Sequence, residues 1–148
     1  MKTILTTIAL FIGMNMNLFA AEAPRINSVT TADGAVFSLQ KLHYGFSNYL
    51  VGQTFDGQKI RFKHSNITRF YKNGVLYEKV ETDKIETCSE GTFLPVAKRK
   101  HDVVAYIQNV MNARGQINNV LHVFVDGKYA LSSNEQNQAQ IDQFFSAE

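Results

Sequence analysis

The 148-residue chain has a single cysteine, Cys88. An internal disulfide is therefore excluded, as is a zinc site of the Cys-x-x-Cys kind. The four histidines, His43, His64, His101 and His122, never stand at the i, i+2 or i, i+4 spacing that brings two ligands to one ion, so no metal is expected. A Gly-x-Ser-x-Gly elbow, a glycine-rich phosphate loop and a recognisable carboxylate pair are all missing. Neither catalytic residues nor a cofactor are expected on that ground. A surplus of one charge is missing too. The formal net charge is +2, one unit of it from Lys2, and so near-neutral a balance gives no wholesale attraction to nucleic acid. Repeats, low-complexity tracts and linkers are also lacking, which points to one domain.

What is present begins with an apolar run from Ile4 to Met14, preceded by Lys2 and followed by Ala20, Ala21 and Ala23 before Pro24. A charged start, an apolar middle and a small-residue exit are the parts of a secretory signal peptide. A spanning helix needs about 20 consecutive apolar residues. Here Asn15 and Asn17 interrupt the run, and Thr3, Thr6 and Thr7 dilute it. The expectation is a signal peptide over residues 1–20, an exported domain over residues 21–148, a periplasmic or secreted location, and no membrane span.

Turn chemistry dominates the remainder. Asp33-Gly34, Asp56-Gly57, Asn73-Gly74 and Asp126-Gly127 each separate stretches rich in β-branched and aromatic residues, the pattern of tight hairpins. A two-residue Asn73-Gly74 loop predicts Lys72 opposite Val75, Tyr71 opposite Leu76, Phe70 opposite Tyr77, Arg69 opposite Glu78 and Ile67 opposite Val80. Aromatic then meets aromatic and charge meets opposite charge. The same exercise at Asp126-Gly127 predicts Phe124 opposite Tyr129 and Val123 opposite Ala130. Both faces of Val120–Val125 are largely apolar, as in a central strand.

Between these hairpins Val103, Ile107, Val110 and Met111 fall on one helical stripe, with Gln108, Asn109 and Asn112 facing away. A helix is predicted from near Lys100, with Gly115 as its stop. Ser133-Asn134-Glu135-Gln136 reads as a capping box ahead of a short docking helix bearing Ile141, Phe144 and Phe145 on one face. The fold class is α+β: an antiparallel sheet or partly closed OB-like barrel, one central amphipathic helix and a short C-terminal helix.

Cys88, in the stretch Glu-Thr-Cys-Ser-Glu-Gly, is the candidate nucleophile by residue type, but its local sequence provides no partner base. An inert, partly buried thiol is the plainer reading, and an intermolecular disulfide is a further use ranked ahead of catalysis. His122 alternates within an apolar strand and reads as a hydrogen-bonded core residue. Asn66-Ile67-Thr68 matches a glycosylation acceptor, of consequence only in a eukaryotic secretory route.

Charge is uneven along the chain. Lys59, Arg61, Lys63, Arg69 and Lys72 occur with no acid among residues 59–72, whereas residues 78–90 are predominantly acidic. On a strand Lys59, Arg61 and Lys63 share one face, with Ile60 and Phe62 on the other. These cations form either an anion-attracting face, with Phe62, Phe70 and Tyr71 as stacking surfaces, or a solvated face that deters edge-to-edge pairing. The near-neutral overall balance weighs toward the second. Lys59, Arg61, Lys63, Phe70 and Tyr71 are the candidate binding residues.

The stretches Leu39-Gln-Lys-Leu-His-Tyr-Gly45 and Ala113-Arg-Gly-Gln-Ile-Asn-Asn-Val-Leu-His-Val-Phe-Val125, taken with the order of elements, resemble the OB-fold receptor-binding B subunits of pentameric bacterial toxins. The resemblance implies a ring-forming glycan binder, although those subunits usually contain a disulfide that this chain cannot form. The expectation for function is an exported non-enzymatic binding domain with a protein or carbohydrate partner, and homo-oligomerisation is open to it. A toxin-B-like pentamer, a periplasmic inhibitor or immunity protein, and an enzyme with Cys88 as nucleophile are the alternatives.

Overall fold

The computed structural model describes residues 26–45, 47–80, 83–85 and 92–146. The expected signal peptide and Cys88 lie outside the described residues. Among the described residues, eleven strands and one helix follow in the order β1 (Ser28–Thr31), β2 (Val36–Ser38), β3 (Lys41–His43), β4 (Tyr49–Gln53), β5 (Lys59–Lys63), β6 (Ile67–Lys72), β7 (Val75–Val80), β8 (Thr92–Lys100), β9 (Val103–Met111), β10 (Ile117–Val125), β11 (Lys128–Ser132) and α1 (Gln138–Ser146). A 3-10 turn, His64–Asn66, joins β5 to β6. One sheet has eight strands in the order β11-β10-β9-β8-β7-β6-β1-β2, and a smaller one has the order β3-β4-β5. Every pairing is antiparallel. This frame is compatible with an OB-like fold, but the large sheet stays open, with β2 and β11 at its ends.

The small sheet lies over the β1, β6, β7 and β8 part of the large one. Leu42, Leu50 and Phe62 from the first meet Val29, Ile67, Phe70 and Phe93 from the second, with Leu39 from the β2–β3 corner completing the core. Gly52 permits that corner, because a Cβ there would stand 2.6 Å from Leu39 Cδ1. Asn27, 8% exposed, pins the arrangement: its side-chain amide donates to the Gln40 carbonyl and its Oδ1 accepts from the Asn73 N–H.

Farther along, β9 and β10 are apolar on both sides. Tyr106 and Phe124 pack with Val80, Ile85 and Leu94 on one side, while Ala105 and Val123 pack beneath Ile141 of α1 on the other. The docking helix stands as read from the sequence, with Ile141 fully buried and Phe144 and Phe145 half-buried against the same cluster.

The reciprocal pair ahead of this helix stands one residue later than the predicted capping box, in the turn that leads into α1. Asn134 Oδ1 accepts from the N–H groups of Gln136 and Asn137, and Asn137 Oδ1 accepts from the Asn134 N–H. Ser133 is unavailable for that role because its hydroxyl already accepts the Leu121 N–H at 2.8 Å.

The predicted central helix is strand β9. Val103, Ile107 and Met111 are four residues apart, a spacing that places side chains on one side of either a helix or a strand. Val104 and Tyr106 decide the matter by burying the opposite side. Accordingly Pro95 lies within β8, opposite Tyr77, and Gly115 turns β9 into β10 with a φ of 77°.

The Asn73-Gly74 hairpin has the predicted pairs from Arg69↔Glu78 to Lys72↔Val75, and both turn residues have positive φ. At the last hairpin Phe124 does oppose Tyr129, but a register shift sets Val123 against Leu131 rather than Ala130. The Asp33-Gly34 and Asp56-Gly57 turns are one residue longer than a two-residue loop. In each, the threonine two residues before the aspartate closes the turn by donating its hydroxyl to that carboxylate, Thr31 to Asp33 and Thr54 to Asp56.

Candidate functional site

Strand alternation sends Leu42, Leu50, Ile60 and Phe62 inward, so the remaining side chains of the small sheet form its outer face. The register places Lys41, Gln53 and Lys59 in one row, His43, Val51 and Arg61 in the next, and Tyr49 beside Lys63 in a third. Lys41, His43, Tyr49, Lys59, Arg61 and Lys63 are exposed. Eight residues thus carry four full positive charges, from Lys41, Lys59, Arg61 and Lys63, and no acid. Among the described residues none of these four has a carboxylate partner. The Arg61 guanidinium lies over the Tyr49 ring, 5.1 Å from its centroid, in a cation–π contact.

The predicted trio Lys59, Arg61 and Lys63 therefore shares one face, as its alternation required. The aromatic residues proposed beside it do not join them. Phe70 is fully buried beneath the small sheet, stacked on Tyr77 at 4.8 Å, and Phe62 is in the same core. Tyr71 belongs to the large sheet, opposite Leu76 and Ser28. The aromatic residue of the basic face is Tyr49. Its pairing with Lys63 on β5 follows from a loop register that single-strand patterns do not reveal.

Arg69 faces Glu78 across the hairpin, as predicted, but the carboxylate turns to another strand. Glu78 Oε2 receives Arg99 Nη2 at 2.5 Å and the Tyr106 hydroxyl at 2.9 Å. Burial and the adjoining Glu78 carboxylate together raise the Tyr106 phenol well above its ordinary range.

A second polar group lies within the β9–β11 core. His122 is 4% exposed, as expected for a core histidine. Its Nε2 meets Gln108 Oε1 at 2.9 Å, its Nδ1 meets Ser132 Oγ at 2.6 Å, and Tyr129 Oη lies 2.8 Å from the same Oγ. The amide oxygen of Gln108 only accepts, so Nε2 carries the proton and Nδ1 accepts from Ser132, which in turn accepts from Tyr129. Burial lowers the pKa of His122 and keeps the ring neutral. Serine and histidine in contact are the elements of an activated nucleophile. Here the third member is a neutral amide, which offers no charge to stabilise an imidazolium. The arrangement is a chain of satisfied core hydrogen bonds.

His64 contrasts with it. Its ring lies between Tyr44 and Phe93, 5.6 Å from each, and its buried Nε2 has no hydrogen-bond partner among the described residues. Burial, and then the charge of Lys79, lower its pKa. Asp102 and Asp126 meet at neighbouring hairpin tips, where a hydrogen bond to Asp102 raises the pKa of Asp126. Among the described residues no group of three or more His, Cys, Asp or Glu side chains converges on a metal position, and no helix is long and apolar enough to cross a membrane.

No family model, curated protein or solved structure matches the chain.

Proposed function

We propose that this chain is an exported, non-enzymatic binding domain whose partner, a protein or a glycan, meets the outer face of β3, β4 and β5. The observation that carries the reading is the gathering of Lys41, Lys59, Arg61 and Lys63, with no acid among them, on one exposed side of a three-stranded sheet. Unpaired cations so placed repel one another, and an anionic surface relieves that repulsion. The non-enzymatic part of the reading is supported by the closed hydrogen bonding of Ser132 and His122. Export is supported by the pattern from Lys2 to Ala23.

The test uses protein expressed in a bacterial host with a secretory pathway, fractionated into cytosol, periplasm and medium. Amino-terminal sequencing of material from the periplasm or medium is expected to begin at Ala21. An intact Met1 confined to the cytosol overturns export. Envelope and secreted fractions are then passed over the wild-type protein and over a Lys59→Gln, Arg61→Gln, Lys63→Gln variant. A partner retained by the first and lost by the second supports the face as the binding site, and equal retention overturns it.

A further inference from the structure

The outer face also narrows the chemistry of the partner, an inference that rests on the reading just given. We propose that this face binds an acidic polysaccharide, a linear glycan with repeated carboxylate or sulfate groups, laid along β5 on Lys59, Arg61 and Lys63 and reached by Lys41 from across the sheet.

The spacing of the cations fits a linear polyanion. Alternate residues of a strand lie about 6.7 Å apart, so β5 presents three charges at a regular interval. Lys41 and Lys59 both flank Gln53, which puts them two strand spacings, about 9.6 Å, apart. Gln53 stands between Lys41 and Lys59, and His43 and the Tyr49 hydroxyl lie on the same face beside the cations, supplying the donors and acceptors that sugar hydroxyls require.

Other anionic partners fit less well, each for a separate reason. A protein interface is built around an apolar centre from which lysine is depleted. This face offers Val51, half-buried, and lysines at three of its positions. Single-stranded nucleic acid needs open aromatic rings on which bases stack, whereas the Tyr49 ring already carries the Arg61 guanidinium. A lipid surface combines a basic face with an apolar residue that enters the bilayer. The one placed for that role is Phe55, 73% exposed in the β4–β5 turn. Its neighbour Asp56 has a carboxyl held below the usual range by the Thr54 hydroxyl, and an ionised group there opposes immersion of the turn.

The experiment measures binding of the full chain, as recovered from cells, to six probes. These are heparin, polygalacturonate, neutral dextran, a polyglutamate peptide, a thymidine oligonucleotide, and vesicles of equal parts phosphatidylglycerol and phosphatidylcholine. Binding to heparin, polygalacturonate or both is expected, with dextran inert, and the two acidic glycans separate sulfate from carboxylate recognition. Affinity is expected to fall about tenfold or more between about 0.05 M and about 0.5 M NaCl, because exposed charges are screened. Removing one exposed cation weakens such contacts about two- to fivefold, so the triple glutamine variant is expected to lose about tenfold or more. An unchanged thermal midpoint shows that this variant is folded. Failure of both acidic glycans at low salt, equal binding by the triple variant, or tighter binding to peptide, oligonucleotide or vesicles overturns the proposal. If both glycans fail while the triple variant still loses its envelope partner, this inference falls and the face remains the binding site. If the variant keeps that partner, the earlier reading falls.

Discussion

Two ends of one sheet face are covered by different means. Under the small sheet the contacts are aromatic: Phe70 stacks on Tyr77, and Tyr44 and Phe93 approach Phe70 edge-on or tilted, with centroids near 5.2 Å. Under α1 they are aliphatic and small, with Ala105 and Val123 beneath Ile141. A sheet laid on a sheet leaves a layer about 10 Å thick that large rings fill. A single nine-residue helix buries one side chain fully, Ile141, and two partly, Phe144 and Phe145, over the small Ala105 and Val123. The histidines differ in the same way. His122 has partners at both ring nitrogens, whereas His64 has aromatic neighbours and an Nε2 without a partner among the described residues.

The largest effect expected of a single change is at the aromatic end. Phe70→Ala should cost about 3–5 kcal/mol and Ile141→Ala about 2–5 kcal/mol, read from urea denaturation. If the Ile141 change also removes helical signal in circular dichroism while the Phe70 change unfolds the whole chain, the two ends differ in reach as well as in size. Next comes Ser132→Ala, which strips His122 Nδ1 and the Tyr129 hydroxyl of a shared partner and should cost about 1–3 kcal/mol.

Acid titration compares the histidines directly. Both have folded pKa values below the ordinary 6.5, so the unfolded chain takes up protons first as the pH falls. Stability is therefore complete above about pH 6.5 and declines below it, toward the lower folded values. Urea midpoints should drop between about pH 7.5 and about pH 5.5, and His122→Gln should shrink that drop. Should the slope be unaltered, His122 contributes nothing to it. Asn134→Ala, which removes the side-chain closure of the turn leading into α1, should cost about 1 kcal/mol. Smallest is the Lys59→Gln, Arg61→Gln, Lys63→Gln change, expected to move stability by less than about 0.5 kcal/mol per position because these side chains contribute to neither core.

Local chemistry was legible where it was decided locally. Asn73-Gly74 set its own register because two residues with positive φ admit few hairpin geometries, and Ile141, Phe144 and Phe145 announced a helix by their spacing. The basic trio followed from alternation alone. What failed depended on neighbours distant in sequence. The Val103–Met111 stripe fits two periods, and only the burial of Tyr106 against Leu94 and Phe124 selects the strand. Phe70 looked available beside the cations because sequence order cannot show that a separate sheet closes over it. Lys41 and Tyr49 join the site through cross-strand pairing, which has no signature in β5 itself.

The Tyr44 hydroxyl ties the two layers together. It accepts the Phe93 N–H at 3.3 Å and donates to the Phe93 carbonyl at 3.1 Å, fastening the segment after β3 to the backbone of β8. Lifting the small sheet would strip both groups of their partner at once, in a place packed with rings. Amide protons of the two layers should therefore exchange with deuterium as one cooperative unit, and the platform that presents the cations should hold its shape for as long as the molecule stays folded.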